Sequence, residues 1–426
     1  MNPLYNFGIN VLAFGARIAS HRSPKIKKML EGQHQTLAAL RHKRMAVAPD
    51  GFDVWFHAAS LGEFEQARPI IERLRRNYPE KKMLLTFFSP SGYEIRSNYD
   101  KVDCVAYLPF DRPKSVKRFL DAAAPKMAIF SKYEFWGNYL EQLHRSATPT
   151  YIISSIFRPR QRFFRPWGGM FRKMLCCYTH LYVQDKASVD LLASIGVHNV
   201  TAAGDTRFDR VSEILASSRR IPEIESFIGP SRFTLIAGSS WQPDEDIYIP
   251  WLKGHPDVKA IIAPHEFDHA RLESLRHRLG SSKTRLLSEI RGDGNRHNSL
   301  ENVRYLIIDC FGLLSSLYRY GNVAVIGGGF GAGIHNINEA AVYGIPVVFG
   351  PNHRKFKEAG ELMTRGGGFT YANSSEFNAL MNSLFNDSSA LHNAGDQAGK
   401  YIQESIGASD IIYDDIFGQP AAAPKQ

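Results

Sequence analysis

The sequence predicts an α/β protein with two Rossmann-like domains, each built on a parallel, doubly wound sheet. From residue 52 onwards, short runs of β-branched and aromatic residues alternate with longer amphipathic stretches, as in strand–helix–strand units. The runs form two series separated by a polar segment at 212–230. The chain of 426 residues is also longer than one hydrophobic core normally supports, which favours two domains.

The individual elements follow from these runs. Predicted strands lie at 52–58, 83–86, 104–108, 127–131, 151–154 and 181–184 in the first series, and at 233–238, 258–263, 305–309, 323–327 and 347–349 in the second. Helices are expected between them, for example at 64–78 and 113–123. The predicted domains are an N-terminal helix and basic segment at 1–45, Rossmann-like domains at 46–205 and 206–418, and a disordered tail at 419–426. With two such domains, we expect the site in the cleft between them.

The N-terminal segment predicts an amphipathic helix. Its apolar residues recur at spacings of three and four: Leu4, Phe7, Val11, Phe14 and Ile18. The run is too short and too polar to span a bilayer, and basic residues follow it from 17 to 44. This pattern is typical of a helix lying in the interface of an anionic membrane, and a first helix packed on its own domain is the alternative.

Composition narrows the class of partner. The net charge of +10 indicates an anionic partner, with a merely solvated basic surface as the alternative. No nucleic-acid motif is present and the basic residues are spread along the chain, so we expect no nucleic acid. The four cysteines lack metal or disulfide spacing, and Walker A and dinucleotide fingerprints are missing, so we expect no metal and no cofactor.

Two carboxylates in the first half are candidates for acid–base chemistry. Glu63 closes the motif His57-Ala-Ala-Ser-Leu-Gly-Glu63, in the first helical turn after the first strand. It could act as a general base on a substrate hydroxyl, or it could only complement the helix dipole. Glu134 follows another strand among aromatic residues, either as a desolvated acid or as a partner of Lys132 or an arginine.

An arginine-rich segment follows at 157–167. It interleaves four aromatic residues with Arg158, Arg160, Arg162 and Arg165. Arginine binds phosphate bidentately and aromatic rings suit a headgroup boundary. The segment therefore predicts contact with a phosphate or a lipid headgroup.

The second half carries the signature of a nucleotide site. The stretch 327–361 runs from a strand through a glycine-rich loop into a helix, and then into a strand and loop. We expect the helix to begin near Asn336 and Glu339, with N–H groups that bind phosphate. The Glu339 carboxylate could hold ribose hydroxyls, or it could only complement the helix dipole. Arg207, in Gly204-Asp-Thr-Arg-Phe-Asp209, is a candidate cation facing the cleft.

Taken in order, these motifs resemble the 3-deoxy-D-manno-octulosonic acid (Kdo) transferases of Gram-negative bacteria, which have a GT-B glycosyltransferase fold. The resemblance covers about 57–368 and also includes Ser89-Pro-Ser-Gly92, Leu108-Pro-Phe-Asp111, Glu134-Phe-Trp136 and Phe349-Gly-Pro351. It implies that Glu63 is the catalytic base and Glu134 a second essential carboxylate. Arg207 stands where the family usually has a lysine that stabilises the transition state.

The resemblance also implies contacts to the CMP group of the donor. These are Pro264, His265, Phe311, Gly312, Leu313, Asn336, Ile337, Asn338 and Glu339. The chain departs from the family at two of these places, where Pro-Arg-His becomes Pro264-His265-Glu266 and Met-Gly-Glu becomes Phe311-Gly312-Leu313, and also beside a third, where Ile334 replaces a glycine before His335. Lys132 also replaces an acidic residue common in the family.

The implied reaction is transfer of Kdo from CMP-Kdo to the lipid A precursor (lipid IVA), with inversion and without a metal. The implied location is the cytoplasmic face of the inner membrane, as a peripheral or monotopic protein, with a lipid phosphate on the arginine-rich segment. The alternatives are a UDP-sugar-dependent GT-B transferase of cell-envelope synthesis, a UDP-N-acetylglucosamine 2-epimerase-like isomerase, and a non-catalytic basic binding module. The sequence makes no prediction of the oligomeric state or of the number of Kdo residues added.

Overall fold

The computed structural model describes residues 3–266, 268–292 and 300–418. The chain divides into two compact units, one formed by Met1–Arg210 with Ile406–Gln426 and the other by Val211–Ser405. The predicted disordered tail at 419–426 lies outside the described residues.

The first unit is an α/β domain behind two N-terminal helices. Its strands are β1 (Val54–Ala58), β2 (Met83–Phe87), β3 (Cys104–Tyr107), β4 (Ala128–Ser131), β5 (Thr150–Ser155), β6 (His180–Val183) and β7 (Val200–Ala202). Its helices are α1 (Pro3–Ala19), α2 (Pro24–Val47), α3 (Leu61–Asn77), α4 (Pro90–Arg96), α5 (Pro113–Ala123), α6 (Gly137–Arg145), α7 (Gly169–Leu175) and α8 (Lys186–Ala193), joined by α19 (Ala408–Phe417) from the end of the chain.

The first sheet is parallel in the order β3-β2-β1-β4-β5-β6-β7. Both faces are covered, so β1 is buried along its whole length. Trp55 faces a cluster with Phe119 and Phe130, whereas the alternate residues Val54 and Phe56 face the helix α3 side. This explains why the strand sequences are apolar runs without polar alternation.

The second unit repeats the architecture. Its strands are β8 (Phe233–Ser240), β9 (Val258–Pro264), β10 (Thr284–Leu286), β11 (Tyr305–Ile307), β12 (Val323–Ile326), β13 (Val347–Phe349) and β14 (Gly368–Thr370). Its helices are α9 (Arg207–Ser217, which starts in the first unit), α10 (Pro222–Ile228), α11 (Gln242–Gly254), α12 (His269–Leu279), α13 (Leu287–Gly292), α14 (Leu314–Leu317), α15 (Asn338–Ala341), α16 (Lys357–Thr364), α17 (Ser374–Asn386) and α18 (Ser388–Ser405). The parallel sheet has the order β10-β11-β9-β8-β12-β13-β14.

Two units with parallel sheets confirm the predicted fold class. All eleven predicted strands are present, with ends displaced by no more than two residues. The prediction missed β7, β10 and β14, which are three-residue strands at sheet edges. Such short edge strands carry too few residues to show a hydrophobic pattern.

The C-terminal helix departs from the predicted domain boundaries. Helix α19 lies within the predicted domain 206–418, yet it packs in the first unit. Ile412 and Tyr413 join the cluster around Phe64 and Ile70 of α3. Apolar burial against α3 therefore returns the end of the chain to the first sheet.

The N-terminal helix has the predicted amphipathic form. Helix α1 spans Pro3–Ala19, and its apolar stripe is 54–70% exposed at Leu4, Phe7, Val11, Phe14 and Ile18. Ile9 and Ala13 face the protein instead. Across residues 3–266, 268–292 and 300–418, the helices all fall short of the length and apolarity that a membrane span requires.

Candidate active site

The first sheet changes direction between β1 and β4. From β1 the chain proceeds through β2 and β3 on one side, and from β4 through β5, β6 and β7 on the other. Loops at such a switch point diverge at the carboxyl ends of the strands and leave a crevice for a ligand. The loops after β1 and β4 carry Glu63 and Glu134, so the topology brings the two predicted carboxylate motifs to the same crevice.

Glu134 is buried and paired with a histidine. Its Oε2 atom lies 3.0 Å from Nε2 of His57, and the indole N–H of Trp136 donates to the same oxygen. His57 is fully buried, and its Nδ1 lies 2.9 Å from the hydroxyl of Thr86. The pair therefore has fixed geometry, with Nε2 of His57 facing the Glu134 carboxylate and Nδ1 held by Thr86. The sequence analysis offered Lys132 or an arginine as the partner of Glu134, but in the structure its side chain pairs with His57.

Glu63 is half-buried in the first turn of α3, as predicted. The spacing Ser60-x-x-Glu63 is that of a capping box, but Ser60 makes no cap hydrogen bond to the backbone. Its hydroxyl donates to Glu63 Oε2 instead. The carboxylate is therefore held by a hydroxyl group at the open end of the helix, where it can accept a proton.

Arg207 is held by a buried aspartate. Its Nε and Nη2 atoms lie 3.0 and 2.8 Å from Asp205 Oδ2, and Gln66 and Gln184 also donate to this carboxylate. Burial raises the pKa of Asp205, but the charge and hydrogen bonds of Arg207 outweigh it and hold the pKa below its usual value. Arg207 lies in the first unit, whereas the sequence placed it at the start of the second domain.

Tyr133 shows that several predicted residues share one neighbourhood. Burial raises the pKa of its hydroxyl, and the charges of Arg158, Arg207 and Glu63 also act on it. The fold therefore gathers residues from the loops after β1, β4, β5 and β7 around one tyrosine.

Residues with strained backbone conformations lie at the carboxyl ends of strands in both sheets. Lys132 and Ser154 have φ values of 65° and 52° at the carboxyl ends of β4 and β5, and Ser239 has a φ of 52° at the end of β8. Side chains other than glycine rarely occupy this left-handed region, and such outliers cluster at functional sites.

The arginine-rich segment presents cations over a buried aromatic base. Arg158, Arg160, Arg162 and Arg165 are exposed. The aromatic side chains behave differently from the expectation: Phe157 and Phe163 are buried with Phe135, and Trp167 remains 65% exposed. Burial in the apolar core explains the phenylalanines, so the arginines form the outward face of this segment.

The second sheet changes direction between β8 and β12. Three rings meet beside this switch point, because Trp241 follows β8, His265 follows β9 and His335 ends the glycine-rich loop after β12. His265 stacks on Trp241 at 4.4 Å and on His335 at 4.6 Å. The indole N–H of Trp241 also donates to His335 Nε2 at 3.2 Å. Burial and the neighbouring His265 lower the pKa of His335, which favours the neutral form of the His335 ring.

The predicted donor contacts at 336–339 are arranged differently from a helix N-terminus. Helix α15 has only four residues, and the backbone N–H of Asn338 is already bonded to Asn336 Oδ1. The Asn336 amide donates to Glu339 Oε1 at 3.0 Å, while Ile337 and Asn338 are buried. Asn336 and Glu339 thus form the accessible polar pair, and the N–H of Asn338 is not available to a phosphate in this arrangement.

The remaining predicted donor contacts lie in loops of the same unit. Pro264 is buried at the end of β9 and His265 after it is exposed. In the turn between β11 and α14, Phe311 is 84% exposed and Gly312 has a φ of 84°. Leu313 beside them is half-buried.

The glycines after β12 serve close backbone packing. A Cβ atom on Gly327 would lie 2.2 Å from the carbonyl oxygen of Ser239, and one on Gly329 would lie 2.5 Å from Gly350. The glycine residues therefore allow the loops after β8, β12 and β13 to pack closely against one another. This packing in turn fixes the position of His335.

Comparison with known proteins gives a consistent picture. A family model described as 3-Deoxy-D-manno-octulosonic-acid transferase (kdotransferase) matches residues 13–210. The chain is 28% identical to the 3-deoxy-D-manno-octulosonic acid transferase of Aquifex aeolicus over 331 residues, covering 76% of this chain and 83% of the relative. It is 24% identical to the enzyme of the same name from Haemophilus influenzae over 384 residues, covering 87% of each.

Similarity to solved structures concerns the fold. The UDP-GlcNAc 2-epimerase of Neisseria meningitidis, solved with UDP-GlcNAc bound, matches with a TM-score of 0.58 and 14% identity. The match covers 86% of this chain and all of that one. At this identity the match shows a shared fold, built from two Rossmann-like domains.

Proposed function

We propose that this chain is a Kdo transferase, which transfers Kdo from CMP-Kdo to a hydroxyl of the lipid A precursor in lipopolysaccharide biosynthesis. The observation that carries the proposal is the pairing of the buried Glu134 with His57 at the switch point of the first sheet, where the segment after β1 carries Glu63. The family resemblance alone does not say that Glu63 and Glu134 follow neighbouring strands of one sheet, whereas the strand order does.

In the proposed reaction Glu63 is the general base. It takes the proton of the acceptor hydroxyl while the oxygen attacks the anomeric carbon of Kdo. The new carbon–oxygen bond forms as the bond from that carbon to the CMP phosphate breaks, and CMP leaves with the electron pair. Because attack and departure occur on opposite faces, the anomeric configuration is inverted.

The guanidinium group of Arg207 suits the negative charge that develops on the leaving group. Arg207 is held rigidly by Asp205, so it can stabilise the departing phosphate with little reorganisation. Positioned side-chain cations are sufficient for this role, so the proposed mechanism assigns no step to a metal. Glu134 and His57 would hold the acceptor sugar or tune the charge around it.

The second unit is proposed to bind the CMP group. The segments that follow strands β9, β11 and β12 carry the exposed His265, the exposed Phe311, and the polar pair Asn336 and Glu339. Aromatic faces suit a pyrimidine ring, and the carboxylate of Glu339 suits ribose hydroxyls. The absent arginine of the Pro-Arg-His pattern would make this donor site depend more on these contacts.

The acceptor is proposed to arrive from a membrane surface. Helix α1 exposes an apolar stripe, and the four exposed arginines at 158–165 can pair with lipid phosphates. These two features support a peripheral location at the cytoplasmic face of the inner membrane.

The proposal is tested by incubating the full-length protein with CMP-Kdo and tetraacylated lipid A precursor, followed by mass spectrometry of the lipid. We expect a mass increase of one or more Kdo residues, with inhibition by CMP and not by UDP. Unmodified lipid from a folded, CMP-binding preparation would contradict the proposal. Inhibition by UDP alone would favour the UDP-sugar transferase, and conversion of a UDP-sugar without acceptor would favour the epimerase.

A further inference from the structure

Helix α6, which follows the Glu134 loop, is capped by residues from elsewhere in the chain. Its N-cap residue, Trp136, makes no side-chain cap hydrogen bond. Instead, the N–H of Gly137 donates to the Tyr5 hydroxyl at 3.0 Å. The N–H groups of Asn138 and Tyr139 donate to the two carboxylate oxygens of Asp111, each at 3.0 Å. The first three N–H groups of α6 are thereby satisfied.

Tyr5 and Asp111 also bind each other. The Tyr5 hydroxyl donates to Asp111 Oδ2 at 2.6 Å, and Asp111 is fully buried. Next to this bond, the amide of Asn138 donates to Asn6 Oδ1 at 2.8 Å. Helix α1 is therefore fastened to the start of α6 by two successive residues, on the side opposite its exposed apolar stripe.

The start of α6, to which α1 is bound, is adjacent to the candidate active site. Glu134 and Trp136 immediately precede α6, and the Trp136 indole N–H donates to the Glu134 carboxylate that holds His57. A shift at the N-terminus of α6 would displace Trp136, and with it the hydrogen bond that orients Glu134.

Helix α1 also reaches this region through apolar side chains. Ala13 of α1 packs in a small cluster with Phe110 and Phe88. Phe88 in turn contacts the Trp136 ring at 5.0 Å. Helix α1 thus reaches Trp136 by two independent sets of contacts, one through hydrogen bonds and one through packed rings.

We propose that Tyr5 and Asp111 are positioning residues, which hold the start of α6 so that Trp136 and Glu134 stay seated against His57. The helix with the exposed apolar stripe is then part of the support of the active site as well as a surface element. This inference rests on the proposed function only in giving Glu134 a part in transfer.

The decisive variant is Tyr5→Phe, which keeps the ring and removes the hydroxyl that bridges Asp111 and Gly137. Loss of a hydrogen bond to a charged group predicts a fall in kcat of roughly 10-fold. The CMP dissociation constant and sedimentation with phosphatidylglycerol vesicles should stay unchanged, because the apolar stripe and the second unit are untouched. The matched control is Tyr401→Phe, which loses a comparable bond to Glu361 in the second unit and should retain native kcat.

Two further measurements separate positioning from general destabilisation. In a double-mutant cycle, Tyr5→Phe and Trp136→Phe should together lower kcat by less than the product of their separate effects, because both act through Glu134. By mass spectrometry, amide hydrogen exchange in 134–145 should be faster in Tyr5→Phe than in Tyr401→Phe.

Multiplicative effects in the cycle, or unchanged exchange in 134–145, would overturn the inference. A loss of kcat that only follows a loss of vesicle binding would also overturn it. If the native protein transfers no Kdo, the proposed function fails instead, and the exchange comparison still decides whether Tyr5 holds the start of α6.

Discussion

The switch points of the two sheets are built from different chemistry. In the first unit, buried charged groups are held by specific partners, as in Glu134 with His57 and Arg207 with Asp205. In the second unit, the corresponding position holds stacked rings and tightly packed glycine backbone, with Trp241, His265 and His335 at its centre.

From this difference we expect the two units to have different roles in the proposed reaction. Charged groups in fixed geometry suit proton transfer and stabilisation of developing charge. Ring faces and a rigid loop suit the binding of a flat, polar ligand. Substitutions in the first unit should therefore change the rate of transfer, and those in the second should change donor affinity or local stability.

The largest effect is expected for Glu63→Gln, which keeps the shape of the side chain and removes the base. We expect kcat to fall by about 10³-fold, within the usual range for a general base. Glu65→Gln, in the same helix with ion pairs to Arg68 and Arg96, is the control and should retain native kcat. Near-native kcat in Glu63→Gln would remove the residue from the mechanism.

The second largest effect is expected for Arg207→Ala, which removes the cation that pairs with the buried Asp205. We expect a loss of about 2–3 kcal/mol in unfolding free energy at pH 7, less than for a fully buried pair because the Arg207 side chain is 28% exposed. The exposed pair of Arg145 with Glu141 provides the control, since Arg145→Ala should cost about 0.5 kcal/mol or less.

The pH dependence of this loss has a definite sign. In the native protein the pKa of Asp205 is held below its usual value, so its stabilisation is present at neutral pH and lost as acid reaches that low pKa. Without Arg207, burial alone raises the pKa, and protonation on acidification relieves the penalty. Urea unfolding should therefore show a smaller difference between variant and native protein near pH 4 than at pH 7. A difference that grows on acidification would contradict this account.

A smaller effect is expected from Gly327→Ala in the glycine-rich loop. Its new methyl group would meet the Ser239 carbonyl oxygen at 2.2 Å, so we expect a loss of about 1–3 kcal/mol in unfolding free energy. Gly331→Ala is the control, because its nearest neighbour would lie at an ordinary 3.6 Å. Equal stability of the two variants would show that the loop can open without cost.

The smallest effect is expected for Trp241→Phe, which keeps an aromatic ring and loses the hydrogen bond to His335. We expect the CMP dissociation constant to rise by about 5-fold, corresponding to one hydrogen bond, with kcat at saturation unchanged. Trp251→Phe is the matched control, since Trp251 also stacks on a histidine and donates to Asn382. A fall in kcat without a change in CMP affinity would place Trp241 in the chemical step instead.

The sequence predicted those parts of the fold that have strong local patterns. Buried strands such as 83–86 and the stripe of α1 stand out because their periodicity lies within one segment. Pairings between distant residues have no such pattern: His57 and Glu134 are brought together by adjacent strands, and Tyr5 meets Asp111 through the packing of α1. His57 was visible as a polar residue ending an apolar run, but its partner was not. Likewise, sequence alone could not separate the buried Phe157 and Phe163 from the exposed arginines between them.

We propose above all that proton transfer belongs to the first unit and CMP binding to the second. Calorimetric titration of CMP into Glu63→Gln tests it most directly. We predict a dissociation constant equal to that of the native protein, although this variant has lost transfer. A dissociation constant raised by about 10-fold or more, equivalent to about 1.4 kcal/mol, would place Glu63 in the donor site and contradict the division between the two units.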